Sequence, residues 1–245
     1  MNETTSPGSL TVLDANWPQQ PFPTPENALT EPNGLVAVGG CLSPIRLLNA
    51  YRLGIFPWFN PGEPILWWAP DPRLVLYPSH LQISRSLRKV IGKQPFAVTY
   101  DRAFAAVTGA CAEPRDGQVP DTWLTGAMRS AYLDLHHLGY AHSVEAWRQG
   151  YLVGGLYGVA LGQIFFGESM FFREPNASKV AFVQLVKDLH RWGYQLIDCQ
   201  VETAHLRRFG AELLDRAKFQ QTLREVVSKA PAPCAWSGNN DAGIT

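Results

Sequence analysis

Two acidic side chains in otherwise apolar segments are the residues of this chain whose type and spacing could do chemistry. Glu168 is the single acid of the run QIFFGESMFF, and Asp198 lies in the run LIDCQV, two residues before Gln200. Carboxylates and amides inside buried strands are costly unless they are paired or used. Because side chains alternate along a strand, Asp198 and Gln200 should share one face. The two segments together predict an active site.

A lone acid among apolar neighbours, as Glu168 is, suits the binding of a cationic side chain. Strand alternation predicts that Glu168 lies on the same face as Phe166 and Met170. Two structural interpretations remain open. Glu168 could form a salt bridge with an arginine such as Arg173, and Asp198 could accept hydrogen bonds from backbone donors near the end of its strand.

The elements around the acids must position them. An amphipathic helix is predicted from Asn176 to Trp192, between the two acidic segments, because the run NASK carries a helix-start signal. Three strand-like runs precede it, AHSVEAW, YLVGGLYGVAL and QIFFGESMFF, and the short turns between them predict an antiparallel meander. The run GAMRSAYLDLHHLGY, before the meander, has the apolar spacing of a helix.

This order of helix, three antiparallel strands, helix and strand predicts an α+β fold. It is typical of acyltransferases of the GNAT type, which is an analogy at the level of the fold. We therefore expect a small N-terminal domain followed by a GNAT-like acyltransferase domain, with a mainly antiparallel sheet flanked by helices. In the N-terminal part, Ser43 as N-cap, Pro44 at the first helical position and Gly54 after the last turn predict a helix.

Proline and glycine punctuation predicts the domain boundaries. The sequence Pro-Asp-Pro at Pro70–Pro72 separates two segments of different composition. We expect an N-terminal domain over residues 1–72, in which residues 1–14 are loose. The acyltransferase domain is expected over residues 73–229, and residues 230–245 are expected to form a disordered tail.

Composition narrows the choice of partners. Lys and Arg together number 21, as do Asp and Glu, so the net charge predicts neither a nucleic-acid nor a membrane partner. No run approaches the roughly 18 consecutive apolar residues of a membrane span, and the first ten residues lack the regions of a signal peptide. The four cysteines are scattered without a C-x-x-C pair, which favours reduced thiols in the cytoplasm. We expect a cytoplasmic protein.

Any contact with RNA must come from a local basic patch, since the net charge is zero. The run ISRSLRKVIGK predicts a helix, and the basic residues on it or just beyond it are Arg85, Arg88, Lys89 and Lys93. A merely solvated charged face is the alternative. No metal site is predicted, because the histidines His136, His137 and His142 lack ligand partners at suitable spacing.

Several motifs appear in a fixed order along the chain: EPNGLVAVGG, LSPIRLLNAYRLGIFPWF, ILWWAPDPR, ISRSLRK, AHSVEAW, GESMF, NASKVAF and LIDCQV. In this order they resemble the leucyl/phenylalanyl-tRNA–protein transferase family, from about Phe22 to Leu223. The resemblance implies transfer of Leu or Phe from aminoacyl-tRNA to the N-terminal Arg or Lys of an acceptor protein. The product would be a degradation signal. We expect no cofactor, no membrane partner and a monomeric protein.

The resemblance also implies roles for particular residues. Asp198 and Gln200 would give general-base assistance, and Glu168 would bind the acceptor's cationic side chain. The residues implied at the terminal adenosine of the tRNA are Tyr51, Trp58 and Trp123. The residues implied in an apolar pocket for the transferred side chain are Met170, Phe182 and Leu185. The basic residues of the ISRSLRKVIGK segment would contact acceptor-stem phosphates. Core packing is the alternative for each apolar residue and for Trp58.

The chain departs from the family pattern at a few positions. Cys41 replaces an acid in GGCLSP, and Phe172 stands where a small polar residue is common. A late element reads HLRRFGAELL, in which His205 is retained and is interpreted as structural. Two other functions stay open. An acyl-CoA-dependent N-acyltransferase would need a glycine-rich turn at the start of the helix after the central strand, and here that turn reads REPNASK. A noncatalytic RNA-binding module is the other alternative, but the acids Glu168 and Asp198 would not help to bind a polyanion.

Overall fold

The computed structural model describes residues 10–114 and 123–237 of the chain. Within these residues the chain forms a four-stranded sheet, a seven-stranded sheet and seven α-helices. The predicted α+β fold, with a small N-terminal region and a mainly antiparallel sheet flanked by helices, is confirmed. The boundary at residue 72 stays a prediction. The run EPRDGQVPDTW, residues 113–123, is predicted from the sequence to form a loop, and its residues 115–122 lie outside the described residues.

The N-terminal sheet has the strand order β1-β2-β4-β3. Its strands are β1 (Thr11–Leu13), β2 (Leu35–Gly39), β3 (Phe56–Pro57) and β4 (Leu66–Trp68). β1 pairs with β2 in parallel, so the prediction that residues 1–14 are loose is wrong for this strand. The buried guanidinium of Arg46 donates a 2.7 Å hydrogen bond to the Gln20 carbonyl, which ties the segment after β1 to the helix that follows β2.

That helix, α1 (Pro44–Arg52), follows the predicted rules. The Ser43 hydroxyl accepts a hydrogen bond from the Arg46 amide at 3.4 Å, and Pro44 occupies the first helical position. Gly54, just after the helix, has a φ of 69°. A Cβ there would lie 2.6 Å from the Phe219 ring, so glycine permits both the turn and the close approach.

The main sheet has the strand order β11-β5-β10-β9-β8-β7-β6. Its strands are β5 (Arg73–Leu76), β6 (Ala97–Tyr100), β7 (Ala141–Arg148), β8 (Tyr151–Leu161), β9 (Ile164–Phe172), β10 (Leu196–Gln200) and β11 (Glu212–Leu214). The predicted meander is β7-β8-β9. β9 and β10 are parallel, whereas the other neighbouring pairs are antiparallel.

Six further helices cover or border this sheet. They are α2 (Arg85–Gly92), α3 (Phe104–Ala112), α4 (Gly126–His137), α5 (Ala177–Arg191), α6 (Ala204–Arg207) and α7 (Arg216–Val226). α5 connects the parallel strands β9 and β10. Asn176 precedes α5 with a φ of 71° and makes no side-chain capping bond. A Cβ at Gly154 of β8 would lie 2.6 Å from that of Ala177, so this glycine lets the start of α5 lie against the sheet.

Two hydrophobic clusters lie on opposite faces of the main sheet. The first joins the N-terminal sheet and α1 to α3, α4, α7 and one face of the main sheet, where Tyr157 and Phe166 lie. The second packs α5 against the opposite face, where Phe165 and Ile197 lie. Residues 165 and 166 are neighbours in β9, as the alternation of a strand buried on both faces requires.

The chain after α7 is folded where it is described. The Trp236 ring stacks on His142 with centroids 3.9 Å apart, and its indole nitrogen donates a 2.7 Å hydrogen bond to the Tyr194 hydroxyl. The prediction of a disordered tail is therefore wrong for residues 230–237, because an aromatic cluster holds them. Residues 238–245 lie outside the described part of the chain. No helix in the described ranges is long and apolar enough to span a bilayer.

Candidate active site

A β-bulge places Glu168 at the site. On β8, Tyr157 pairs with Ser169 and the next residue pairs with Gly167, so Glu168 is the extra residue on β9. The bulge reverses the alternation beyond it. Phe166 belongs to the first hydrophobic cluster, whereas Met170 packs against the second. The prediction that Glu168 shares a face with both Phe166 and Met170 is therefore wrong for Met170.

A second bulge lies in β10. Asp198 pairs with Val75 and Gln200 pairs with Leu74, so Cys199 between them is unpaired. Gln200 has a left-handed φ of 61°. Its backbone N–H donates to Asp198 Oδ1 at 2.9 Å, and its side-chain Nε2 donates to Glu168 Oε1 at 3.0 Å. Cys199 packs against the second cluster, whereas Asp198 and Gln200 contact Arg73 and Glu168 on the other side, as the predicted common face requires. Gln200 thereby bridges the two acids.

Neutral hydroxyl groups surround the Glu168 carboxyl. The Tyr51 hydroxyl of α1 lies 2.8 Å from Oε1, and the Tyr132 hydroxyl of α4 lies 2.8 Å from Oε2. The two hydroxyl oxygens are 2.9 Å apart. Arg173 pairs instead with Glu113, at 2.7 Å. Within the described ranges Glu168 has no ion-pair partner, so the alternative of a salt bridge to Arg173 is not formed.

The environment of Glu168 disfavours its charge. The residue keeps some accessible surface, but protein surrounds its carboxyl group, and this burial raises its pKa to about 7. Hydrogen bonds from Tyr51 and Tyr132 act in the opposite direction, and the nearby charge of Asp198 raises the pKa further. The pKa values of Tyr51 and Tyr132 also lie well above the ordinary value, first because both are buried and then because of the charge on Glu168.

Asp198 lies in a different environment, in a bidentate ion pair. Arg73 Nε donates to Oδ1 at 2.8 Å and Nη2 donates to Oδ2 at 2.6 Å, with both side chains almost fully buried. The Arg73 guanidinium also lies over the rings of Phe56 and Phe219, at 4.7 and 4.9 Å from their centroids. Asp198 has no accessible surface and both oxygens are used. The geometry therefore does not support direct proton abstraction by Asp198.

Sequence reasoning missed two residues of this site, Arg73 and Tyr132. Arg73 ends the motif ILWWAPDPR, and nothing in the sequence links it to an acid 125 positions away. Tyr132 falls on the apolar spacing of α4, which explains its full burial but not the use of its hydroxyl. Tertiary contacts between distant segments position both side chains.

The three aromatic residues expected at an adenosine lie in different surroundings. Tyr51 is fully buried, with its ring 5.0 Å from that of Phe166, so it offers a hydroxyl group rather than a ring face. Trp58 is 50% exposed, and one edge contacts Trp68 at a centroid distance of 6.0 Å. Trp123 is partly buried against the first cluster. Stacking of a base is geometrically open to Trp58 and is not supported for Tyr51.

The three residues expected in a side-chain pocket, Met170, Phe182 and Leu185, all belong to or border the second hydrophobic cluster. Leu185 is fully buried, and the Phe182 ring contacts that of Phe209 at 4.9 Å. In this structure they pack together as core, which is the alternative that the sequence left open. A pocket here requires these side chains to move apart.

The basic residues Arg85, Arg88, Lys89 and Lys93 are all exposed, on α2 or directly after it. A pocket of about 400 Å³ lies between α2 and the start of α5, and its lining includes Lys179, His205 and Arg208. Burial lowers the pKa of His205, and the charges of Lys179 and Arg208 lower it further. The basic surface therefore continues beyond α2 to residues that the sequence did not single out. No three described His, Cys, Asp or Glu side chains form a metal-ligand group.

The mainly antiparallel sheet, with its one parallel pair β9 and β10 and its flanking helices, defines a protein of the α+β class. Comparison with known families is more specific. The model described as leucyl/phenylalanyl-tRNA protein transferase matches residues 75–224, and that of the same family's N-terminal domain matches residues 40–71. The chain belongs to the leucyl/phenylalanyl-tRNA protein transferase family.

Individual relatives agree with this membership. A leucyl/phenylalanyl-tRNA–protein transferase of Methylococcus capsulatus is 56% identical, over 93% of this chain and 96% of the relative. That of Azotobacter vinelandii is 59% identical, over 88% of this chain and 94% of the relative. The match therefore includes both the N-terminal sheet and the main sheet.

The similarity to solved structures is low. A GCN5-related N-acetyltransferase from Kribbella flavida is 14% identical with a TM-score of 0.34, over 70% of this chain and 62% of the other. A functionally unknown conserved protein from Staphylococcus epidermidis is 10% identical with a TM-score of 0.40, over 74% of this chain and 68% of the other. Similarity at this level carries no conclusion about function.

Proposed function

We propose that this protein transfers Leu or Phe from aminoacyl-tRNA to the N-terminal Arg or Lys of acceptor proteins. A peptide bond forms, and the product is a degradation signal. The observation that carries the proposal is the 56% identity, over 93% of the chain, to a protein named for this transfer. We further propose that the protein acts in the cytoplasm as a monomer and uses no cofactor.

The reaction makes modest chemical demands. An aminoacyl ester is already activated, and an α-amino group with an ordinary pKa near 7.7–8.0 needs only mild help to become a nucleophile. Holding the amine against the ester carbonyl can contribute roughly 7–11 kcal/mol in favourable cases. The site therefore needs no covalent nucleophile, and its main tasks are to position both substrates and to accept a proton.

In this proposal Glu168 binds the acceptor's cationic side chain. It is an acid with neutral partners on both oxygens, so its charge, when present, is not already compensated by an arginine or lysine of the described chain. A guanidinium or ammonium group placed against it would form a charge-assisted hydrogen bond. Because part of Glu168 is accessible to solvent, the acceptor's cationic side chain could reach it from outside.

Asp198 and Gln200 assist the chemical step in this proposal, but in different ways. Gln200 lies between the acids and presents its amide beside Glu168, so it is placed to orient the attacking amine. Asp198 acts as a positioning residue, because it holds the Gln200 backbone N–H and is itself fixed by Arg73. The proton then leaves through a substrate hydroxyl or water rather than through the buried Asp198.

The tRNA would bind along the basic surface. Arg85, Arg88, Lys89 and Lys93 are free to contact acceptor-stem phosphates, and Lys179 and Arg208 extend the same surface toward α5. The terminal adenosine would contact Trp58 and Trp123. Stacking of a base on an aromatic ring contributes roughly 1–3 kcal/mol. Met170, Phe182 and Leu185 would separate to admit the transferred side chain.

One assay tests the proposed function. The purified protein is incubated with labelled Leu-tRNA and a peptide that begins with Arg, without CoA, ATP or added metal. We expect labelled peptide from this acceptor and none from the same peptide beginning with Ala. Transfer that requires acyl-CoA would support an N-acyltransferase instead, and tRNA binding without any transfer would support an RNA-binding module.

A triple substitution tests the RNA surface. Replacing Arg85, Arg88 and Lys89 with Ala should weaken tRNA binding and flatten the slope of log K against log salt by about 0.7–0.9 for each lost phosphate contact. Reaction with an aminoacyl-adenosine donor should change little, because this donor has no acceptor stem. A control variant loses the same charge elsewhere, through Ala at Lys187, Lys218 and Arg224, which are also exposed. Equal losses in both variants would contradict the assignment.

A further inference from the structure

The Tyr51, Tyr132 and Glu168 side chains form a triangle of short oxygen contacts. The Tyr51 hydroxyl lies 2.8 Å from Glu168 Oε1, the Tyr132 hydroxyl lies 2.8 Å from Oε2, and the two hydroxyl oxygens are 2.9 Å apart. Each distance is typical of an O–H···O hydrogen bond, which needs one proton per contact. The number of available protons therefore depends on the charge of Glu168.

If Glu168 is ionised, two hydroxyl protons must serve three contacts. When both tyrosines donate to the carboxylate, their oxygens face each other at 2.9 Å with no proton between them. Each tyrosine has only one O–H donor, so one of the three contacts stays without a hydrogen bond. The observed triangle does not suit the ionised form.

If Glu168 is protonated, every contact has a proton. Glu168 Oε2 carries it and donates to Tyr132, Tyr132 donates to Tyr51, and Tyr51 donates to Oε1. Oε1 is then a carbonyl oxygen with two acceptor positions, and the second one accepts from the Gln200 amide at 3.0 Å. The result is a closed ring of three hydrogen bonds in which each O–H group donates once.

We propose that Tyr132, with Tyr51, holds Glu168 in its protonated form in the free protein. Binding of a cationic acceptor side chain is then coupled to release of that proton. The part of this inference that concerns the acceptor rests on the proposed function, and the part that concerns the protonation state does not. Tyr132 is a positioning residue, because it acts through Glu168.

The groups around the ring agree with a neutral Glu168. Tyr157 from β8 lies beside Tyr132 with ring centroids 5.2 Å apart, and Cys111 from α3 lies near Tyr157. Asp198 from β10 is a negative neighbour, and Arg73 from β5 uses its charge in the pair with Asp198. No described lysine or arginine forms an ion pair with Glu168. Burial raises the pKa of Glu168 to about 7, whereas hydrogen bonds that the two tyrosines donate to an ionised carboxylate would lower it, so the two arrangements predict opposite effects of removing Tyr132.

The proton balance of acceptor binding follows directly. The Glu168 O–H bond breaks, its proton passes to solvent, and the carboxylate pairs with the guanidinium or ammonium of the acceptor. An uncharged side chain offers no such compensation, so the proton stays and the ring stays closed. A neutral Glu168 thus avoids a buried, unpaired negative charge in the free protein and still gives a charged partner to the correct acceptor.

Infrared difference spectra of wild type minus Glu168→Gln test the protonation state directly. We expect the carbonyl band of a protonated carboxylic acid at pH 6, and its loss as the pH rises through about 7. An ionised Glu168 at pH 6 would overturn the inference. This measurement needs no substrate, so its result is independent of the transfer assay. An ionised Glu168 together with successful transfer would contradict only the inference, and a protonated Glu168 without transfer would contradict only the proposed function.

The direction in which Tyr132→Phe shifts the infrared midpoint of Glu168 separates the two arrangements. If the ring holds the proton, removing one member lowers the midpoint by about half a pH unit or more, the size expected from one net hydrogen bond. If Tyr132 only donates to an ionised carboxylate, its removal raises the midpoint, and the inference fails. Tyr51→Phe carries the same expectation and replaces Tyr132→Phe should that variant not fold. Tyr157→Phe is the matched control, because it removes an equally buried hydroxyl outside the ring.

A pair of peptides tests the coupling to binding. The two differ only in the first side chain, Arg or its uncharged analogue citrulline, so titration of their α-amino groups cancels in the ratio of affinities. We expect this ratio to rise with pH by up to tenfold per unit below about pH 7 and to level off above it. Wild type should release close to one proton at pH 6 on binding the Arg peptide. A ratio independent of pH would contradict the coupling.

Discussion

Asp198 and Glu168 lie on the neighbouring strands β10 and β9, yet their surroundings differ in kind. Asp198 is fully buried and pairs with Arg73, which contacts both of its oxygens. Glu168 keeps a partly accessible side chain, and its partners are two tyrosine hydroxyls and an amide. One acid has a fixed counter-charge supplied by the protein, whereas the other has none among the described residues.

The difference shows how the partner set determines what a carboxyl group can do. A buried acid with a bidentate arginine is held in place and is unavailable to a ligand. An acid surrounded by neutral donors can change its charge near neutral pH and can accept a cation from outside. Asp198 is therefore suited to hold the site together, and Glu168 is suited to bind and discriminate.

The largest expected effect comes from breaking the fixed pair. Asp198→Asn should lower the free energy of unfolding by about 3–5 kcal/mol, because it leaves the buried Arg73 guanidinium without a counter-charge. Urea unfolding at pH 7 measures this loss. Glu168→Gln, measured in parallel, should cost much less since no buried cation depends on Glu168. A loss below about 1 kcal/mol for Asp198→Asn would show that Arg73 is hydrated rather than buried.

Glu168→Gln should instead have its main effect on the acceptor. A charge-assisted hydrogen bond contributes about 1.5–3 kcal/mol, so we expect acceptor kcat/KM to fall roughly tenfold to a hundredfold, mostly through KM. The KM for aminoacyl-tRNA should stay close to that of wild type. Steady-state kinetics with an Arg-starting peptide at pH 8 measure both. An unchanged acceptor preference would remove Glu168 from acceptor binding.

The two acids should also differ in how stability depends on pH. The pKa of Glu168 in the folded protein, about 7, lies above the ordinary value near 4.3. The unfolded chain therefore loses this proton first as the pH rises, so Glu168 stabilises the fold below about pH 4 and that stabilisation is lost up to about pH 7. Compared with Glu168→Gln, the Tm of wild type should fall by a few °C over this interval and stay level above it. Thermal unfolding between pH 4.5 and 8.5 measures this difference, and a constant one would contradict the raised pKa.

The smallest effect is expected at the bridge between the acids. Gln200→Ala removes the amide that donates to Glu168 but keeps the backbone N–H that donates to Asp198. Stability should change by about 1 kcal/mol or less, the usual net size of one hydrogen bond. The pKa of Glu168 should rise, because a donor to its ionised form is lost. The infrared midpoint of Glu168 measures this shift, and a large loss of stability would show that the side chain also supports the pair of Asp198 and Arg73.

Sequence reasoning predicted the elements well where local signals are strong. Ser43 and Pro44 begin α1, and the short turns after β7 and β8 give the meander, because capping and turn geometry depend on neighbouring residues. It was wrong for the tail at residues 230–237. Their order comes from Trp236 and its contacts with His142 and Tyr194, which are distant in the sequence.

By itself, the sequence determined the α+β fold class and the family, and it singled out Glu168, Asp198 and Gln200 as candidate site residues, because polar residues in apolar strands are visible in one dimension. Only the tertiary structure decided what surrounds them. The bulge at Glu168 breaks the alternation on which side-chain faces are predicted, and the bulge at Cys199 brings the Gln200 backbone N–H to Asp198. Arg73 belongs to β5 and pairs its charge with Asp198, whereas Tyr132 belongs to α4 and gives Glu168 a neutral partner. The two acids therefore differ in charge compensation. Charge compensation depends on distances in space, which spacing along the chain does not contain.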